Sequence, residues 1–284
     1  MLKVKHLYHS YQKNDQYAVK DISFEIEKGK IFGFLGPSGA GKSTTQNILI
    51  GLLPLQKGEA TIAGINIQNP TEEFFNLIGV SFEQPNLYKK LTGYENLEFY
   101  RKLFRVPTAD SRALLKQVGL EEAADKKAGS YSKGMQQRLV FARSMVNNPQ
   151  MWFLDEPTSG LDPATASNIK DIIWRKKQSG TTIFLTTHNM HIADELCDEV
   201  AFIHDGKLCL IDSPRNLKLK YGEKLVRVEY RDQDNLKKEN LSMVNEKDKQ
   251  RLTKLISTGN IETLHSQEAT LEEIFIRVTG RGLE

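Results

Sequence analysis

The run Gly36-Pro37-Ser38-Gly39-Ala40-Gly41-Lys42-Ser43-Thr44 fits G-x-x-x-x-G-K-[ST] and directly follows an apolar, strand-like segment at 31–35. The chemistry on offer is a grip on a nucleotide phosphate chain. The glycines allow a tight turn whose successive N–H groups point inward, Lys42 reaches the β- and γ-phosphates, and Ser43 offers its hydroxyl to Mg²⁺. A helix-like run at 43–50 adds the positive end of its dipole. Kinases, switches, motors and transport ATPases all use such a loop, so the reaction has to be read elsewhere in the chain.

A second apolar segment, 151–154, delivers two adjacent carboxylates, Asp155 and Glu156, at the end where a parallel strand meets its ligands. Neighbours on a strand point to opposite faces. Asp155 facing a metal therefore leaves Glu156, at the strand exit, to orient or deprotonate a water beside the γ-phosphate. Taken alone, the pair reads equally well as two solvated loop acids. It is accompanied, however, by Tyr131-Ser132-Lys133-Gly134-Met135-Gln136-Gln137-Arg138 upstream, by Ser159-Gly160-Leu161-Asp162 just downstream, and by His188 closing another apolar strand at 182–187. Asp162 before Pro163 also reads as a helix N-cap with proline at the first helical position. His188 and His191 have i, i+3 spacing, but two histidines without a further ligand make weak grounds for a site, so Mg²⁺ with nucleotide is the only metal expected.

Elements must carry these groups. Segments rich in β-branched and aromatic residues at 2–8, 22–26, 31–35, 61–67, 78–82, 152–155, 182–187, 199–204 and 207–211 read as strands. The early ones alternate and are joined by turn signals such as Lys28-Gly29 and Ala63-Gly64, which predicts an antiparallel sheet. The later ones are nearly continuous apolar runs, as in a parallel sheet buried on both faces. Residues 86–148 read mostly as helices, a subdomain inserted before the next core strand. After Ser213-Pro214 the pattern changes: a strand at 225–230, a polar stretch at 231–250, a helix at 249–256, a short strand around Ile261 and a helix at 269–279. The expected division is 1–213 and an accessory domain at 214–284.

The 284 residues, 39% hydrophobic and 26% charged, suffice for one substantial core and a smaller unit. A net charge of +3, from 39 basic and 36 acidic residues, is too even to suggest a nucleic-acid footprint, and no nucleic-acid partner is expected. Cys197 and Cys209 lack C-x-x-C spacing and are expected as reduced, packed thiols; no signal peptide is evident. No apolar run approaches the ~20 residues needed to cross a bilayer, so the chain is not expected to span a membrane by itself.

In motif order, residues 1 to about 213 resemble the ATPase subunit of an ATP-binding cassette transporter. The resemblance implies an α/β fold: a P-loop NTPase core with a mostly parallel sheet, an N-terminal antiparallel β subdomain, the inserted helical subdomain and a small C-terminal α+β extension. It places Tyr11 where an aromatic stacks on adenine, for which a half-buried tyrosine at a strand end is the plainer alternative. Ser132 and Gly134 match the signature turn that contacts the γ-phosphate held by the other subunit, Asp162 the loop coupling the two sites, and His188 a γ-phosphate contact. Lys42, Ser43 and Asp155 would organise Mg·ATP and Glu156 would activate water for hydrolysis to ADP and phosphate. Two active sites would form between two cassettes, as a homodimer or with a related cassette. The pair would dock on integral-membrane permease subunits at the cytoplasmic face of the membrane.

The chain departs from the family pattern in two places. The signature reads Tyr131-Ser132-Lys133-Gly134-Met135 where Leu-Ser-Gly-Gly-Gln is usual, a variant resembling drug and lipid exporters. The metal-contacting glutamine falls on Glu83 when the register is anchored on Leu87-Tyr88, with Gln84 one residue later; a carboxylate is still a hard oxygen ligand for Mg²⁺. The single cassette, the run 91–96 and the tail 269–275 also resemble drug, lipid or peptide exporters. Tyr94, Leu97, Phe99, Tyr100 and Phe104 either frame a docking groove for a permease helix or pack internally. A small-molecule kinase has no need of 131–138 and 159–162. A chromosome or repair ATPase would insert a long coiled coil before the signature, and a translation factor would carry two cassettes. A soluble or regulatory cassette not engaged in transport remains the alternative, motivated by Lys133, Met135 and Glu83.

Overall fold

The structure is a computed structural model describing residues 1–12, 16–222, 224–232, 235–280 and 282. It divides into two units, residues 1–213 and Pro214–Gly282. In the first, a six-stranded sheet runs in the order Lys207–Asp212, Glu199–His204, Ile31–Leu35, Thr182–Thr187, Met151–Asp155, Ile78–Ser81. Pairings among the last five are parallel, so both faces are covered and the strands are apolar throughout. One face stacks Phe32, Phe34, Phe153 and Phe184, with Phe24 of the neighbouring antiparallel sheet 5.2 Å from Phe32. Each fully buried phenylalanine contributes about 1.5–3 kcal/mol. The other face buries Ile31, Trp152, Leu154, Ile183 and Leu185 under helices.

Lys207–Asp212 differs from the parallel arrangement expected of the later strands: it pairs antiparallel with Glu199–His204. Asp205 and Gly206, with φ of 48° and 77°, form the left-handed two-residue hairpin that Asp-Gly favours. The strand alternates exposed and half-buried residues, so Cys209 is exposed rather than packed. Cys197 is a free thiol pushed upward by burial.

The antiparallel sheet runs Val19–Ile26, Leu2–His9, Lys57–Ile62, Ile65–Asn66. The single strand expected at 61–67 is in fact a hairpin, because Ala63 and Gly64 turn it at positive φ. Between the core strands lie the helices Gly93–Arg101, Ser111–Gln117 and Lys133–Arg143. The last is pinned to the sheet through Trp152, whose Nε1 donates to Ser144 Oγ at 2.8 Å.

In the second unit, Leu225–Asp232 pairs with Asn235–Ser242 and Ile261–Gln267. Helices Pro214–Tyr221, Glu246–Thr258 and Leu271–Thr279 complete it. The polar stretch at 231–250 was not expected to hold a strand; Asn235–Ser242 is one because its backbone is paired along Leu225–Asp232 and only Leu241 needs burying. Arg251 ties this sheet to its helix, donating to Glu239 and to the Tyr230 hydroxyl, and its hydrogen bond to Glu239 leads the causes holding that carboxyl down at about 2.

Candidate functional site

The parallel sheet brings four strand ends together, and the loops leaving them enclose a cavity of about 490 Å³. Tyr11, Ser38, Gly39, Gly41, Lys42, Ser43, Thr44, Glu83, Asp155, Glu156 and His188 all line it. Ala18 joins them, a residue nothing in the sequence marked.

Gly36, Pro37 and Ala40 support the loop rather than line the cavity. Lys42 Nζ donates to Gly36 O at 2.6 Å and Pro37 O at 2.9 Å, while Ala40 O accepts from Gly206 N at 3.0 Å. Gly36 is required by contact: a Cβ there would sit 2.2 Å from Ile203 O. Gly41 is required by conformation, with φ of 106° at the N-cap of helix Lys42–Leu49, which no side chain caps. The uncapped N–H groups suit an anion. Gly36→Ala is expected to cost about 1–3 kcal/mol through overpacking, lowering the melting temperature by several degrees. An unchanged thermal melt would show that the loop accommodates the methyl group.

Met151–Asp155 ends one residue before Glu156, whose φ of 45° swings the chain out of strand geometry. This left-handed turn at a bulky residue is uncommon. It explains how adjacent acids, which on a regular strand would face opposite ways, both line one cavity. Glu156 is buried and both its oxygens accept hydrogen bonds: the Thr187 hydroxyl donates to Oε2 at 2.8 Å, and His188 N donates to Oε1 at 2.8 Å. His188 Nδ1 lies 2.6 Å from Oε1. Against an ionised carboxylate, which only accepts, that ring nitrogen carries the proton. The Asp155 carboxylate accepts from the Thr186 hydroxyl. Thr186 and Thr187 were missed as site residues; two adjacent threonines ending the strand before His188 were the available signal.

Burial raises the Asp155 carboxyl, Glu83 and Glu156 add to this, and the Thr186 hydrogen bond and Lys42 oppose it. Burial depresses the Lys42 ammonium, against the pull of Glu156, Asp155 and Glu83. Among the described residues, the cavity thus gathers the carboxylates of Glu83, Asp155 and Glu156 around Lys42. The hydroxyl of Ser43 and the carboxylates of Asp155 and Glu83 are a hard-oxygen set at one place, which fits Mg²⁺. Glu83 lines the cavity and Gln84 does not. Among the described residues no cluster of three or more His, Cys, Asp or Glu with metal-site geometry occurs, and His191 is exposed on its helix.

The remaining expected residues lie outside the cavity. Ser132 caps helix Lys133–Arg143, accepting from Met135 N at 3.2 Å, and is exposed. A Cβ at Gly134 would meet only Leu161, at 3.6 Å. Asp162 caps Pro163–Gln178 through Thr165 N at 3.0 Å, with proline in the first turn, and is exposed. Of the aromatic stripe, Leu97 is wholly buried and Tyr94 and Phe104 pack on the core. Tyr100 and Phe104 also line a separate groove of about 570 Å³. No helix among the described residues is long and apolar enough to cross a membrane.

Residues 19–159 match the ABC transporter family. A fluoroquinolones export ATP-binding protein of Mycobacterium tuberculosis is 49% identical over 284 residues, covering 100% of this chain and 94% of the relative. ABC transporter A family member 7 of Arabidopsis thaliana is 42% identical over 211 residues, 72% of this chain and 22% of that protein. Among solved structures, the dimeric post-hydrolysis state of the ATP-binding cassette MJ0796 bound to ADP and Pi aligns with a TM-score of 0.69 at 29% identity. That alignment covers 75% of this chain and 98% of the cassette. The chain belongs to the ABC transporter family and is an ATP-binding ATPase subunit.

Proposed function

We propose that two copies of this cassette, or one copy with a related cassette, close on ATP at the cytoplasmic face of the membrane and drive export through separate permease subunits. The observation that carries the pairing is the separation described above: the phosphate loop, both acids and His188 share one cavity, while no residue of 131–138 or 159–162 lines it. The exposed Ser132, the half-buried Gly134, crowded by no neighbour, and the exposed Asp162 suit contact with a nucleotide held by the facing subunit. Each chain then supplies half of two sites, and a lone chain hydrolyses poorly.

Within a half-site, the phosphate-loop N–H groups and Lys42 hold the phosphates, and Tyr11 stacks on adenine. Ser43, Asp155 and Glu83 would hold Mg²⁺, which when bound neutralises charge on the β- and γ-phosphate oxygens. Glu156 accepts the proton of the attacking water. His188 and Thr187 hold its carboxylate in place. The exposed His188 ring also reaches the γ-phosphate.

Export is the direction supported by the mycobacterial relative's name and by the Ser132-Lys133-Gly134-Met135 signature. The permease is proposed to dock a cytoplasmic helix in the 570 Å³ groove, against Leu52, Phe75, Phe82, Tyr100, Leu103 and Phe104. Tagged protein solubilised from native membranes is expected to retain a multi-spanning partner in stoichiometric amount. Removing that partner is expected to change the ATPase rate. A fully active enzyme with no membrane partner would sink the transport reading.

A further inference from the structure

Tyr11 begins a loop and is largely exposed, yet stacking on a base requires its ring to be held in one place before ligand arrives. What holds it is not the sheet. The ladder between Leu2–His9 and Lys57–Ile62 ends at the pair Tyr8–Lys57. Beyond that pair, the side chain of Gln56 takes over. Its Oε1 accepts from Ser10 N at 2.8 Å and its Nε2 donates to Ser10 O at 2.8 Å. A side-chain amide carries the same donor and acceptor as a peptide unit, so Gln56 extends the ladder to the residue immediately before Tyr11. Only one orientation of the amide satisfies both bonds.

The other contacts converge on the same segment. Ala18 N donates to His9 O at 2.8 Å on the opposite edge. The Ser10 hydroxyl lies 2.5 Å from Gln12 O and 2.8 Å from Gln16 O. The His9 ring, buried, meets the Tyr11 ring edge-on at 5.1 Å and 82°, and the Tyr11 hydroxyl is 3.0 Å from Thr44 Oγ1 of the phosphate-loop helix. Tyr11 is thus set against both the sheet end and the phosphate loop, and Gln56 grips the Ser10 backbone on the Lys57 side of the strand.

We infer that Gln56 is a positioning residue for nucleotide selection: by clamping Ser10 it presets Tyr11 to accept the base, and so governs affinity for ATP rather than for a phosphate chain as such. This rests on the stacking role proposed for Tyr11. Gln56 is itself exposed, and both bonds of its amide go to Ser10 rather than to a residue that holds phosphate in the proposed site, so its loss is expected to fall on the base-binding half.

The test compares binding of Mg·ATP with binding of Mg·tripolyphosphate, which has no base. Gln56→Ala is expected to weaken ATP binding about tenfold, the effect of losing a paired hydrogen bond and the order it imposes, while tripolyphosphate binds as before. Gln56→Glu keeps the acceptor for Ser10 N but sets a carboxylate oxygen against Ser10 O, and is expected to show the same selective loss. In steady-state assays the change falls on KM for ATP, with kcat retained at saturation. Tyr11→Ala must show the same selectivity. If it does and Gln56→Ala does not, the clamp is overturned and the stacking role stands. If Tyr11→Ala leaves ATP binding untouched, the stacking role fails and the clamp falls with it. Equal weakening of ATP and tripolyphosphate by Gln56→Ala would also overturn the inference, because a general disturbance of the fold would then be responsible.

Discussion

Glu156→Gln retains Mg·ATP binding and hydrolyses it more slowly by roughly 10²- to 10⁴-fold, the usual contribution of a positioned general base. Glutamine preserves the shape, and its amide oxygen still accepts from His188 N, which donates to Glu156 Oε1 at 2.8 Å. What disappears is the carboxylate that takes the proton of water. Because ATP closes the proposed pair and hydrolysis reopens it, the variant accumulates as a dimer when Mg·ATP is added. Sedimentation velocity with and without nucleotide, alongside single-turnover hydrolysis, reads both effects. A near-normal hydrolysis rate would remove Glu156 from its role. Slow hydrolysis with no dimer would leave the base in place and sink the closure of two cassettes. His188→Ala frees the Glu156 carboxylate from one of its three contacts.

Lys42→Ala weakens ATP binding by about 3 kcal/mol, near a hundredfold, as expected when one partner of a close charge pair is truncated. The loss has two sources. The phosphate chain forfeits its cation, and Glu83, Asp155 and Glu156 are left around the cavity without the lysine that, among the described residues, lines it with them. Burial, which already raises the Asp155 carboxyl, then acts unopposed by Lys42. Isothermal titration with ATP measures the loss, and circular dichroism confirms that the fold survives. Lys42→Arg restores the charge but not the compact ammonium that bonds Gly36 O and Pro37 O, so it recovers only part of the affinity. Wild-type affinity in Lys42→Ala would refute the phosphate role.

Much of the site was legible because its chemistry is local. The phosphate loop is nine consecutive residues, and the acids are adjacent to one another at a strand end. Asp162 announced its cap by standing before Pro163, and the structure places Thr165 N on its carboxylate. Less was legible where partners come from afar. Thr186 and Thr187 became carboxylate donors only through the register of Thr182–Thr187 beside Met151–Asp155. The strand Asn235–Ser242 has an almost wholly polar pattern and is held by a neighbouring backbone, which periodicity cannot report. Cys209 was misplaced because the antiparallel edge strand leaves alternate residues in solvent.

By itself, the order of residues determined which groups could handle a phosphate chain, that a parallel sheet must present them, and that one chain carries a single phosphate loop. Those conclusions depend on residue type and short-range spacing, which the chain carries from synthesis. Only the tertiary structure decided which of these groups meet. It placed Glu83 on the cavity, turned Glu156 into the same space as Asp155 at φ 45°, and left Ser132 and Asp162 outside it. It also made an exposed glutamine, Gln56, the last rung of a sheet. The reason is physical: a side chain's role at a site is set by strand register and backbone dihedrals, and these depend on contacts between residues far apart in the chain.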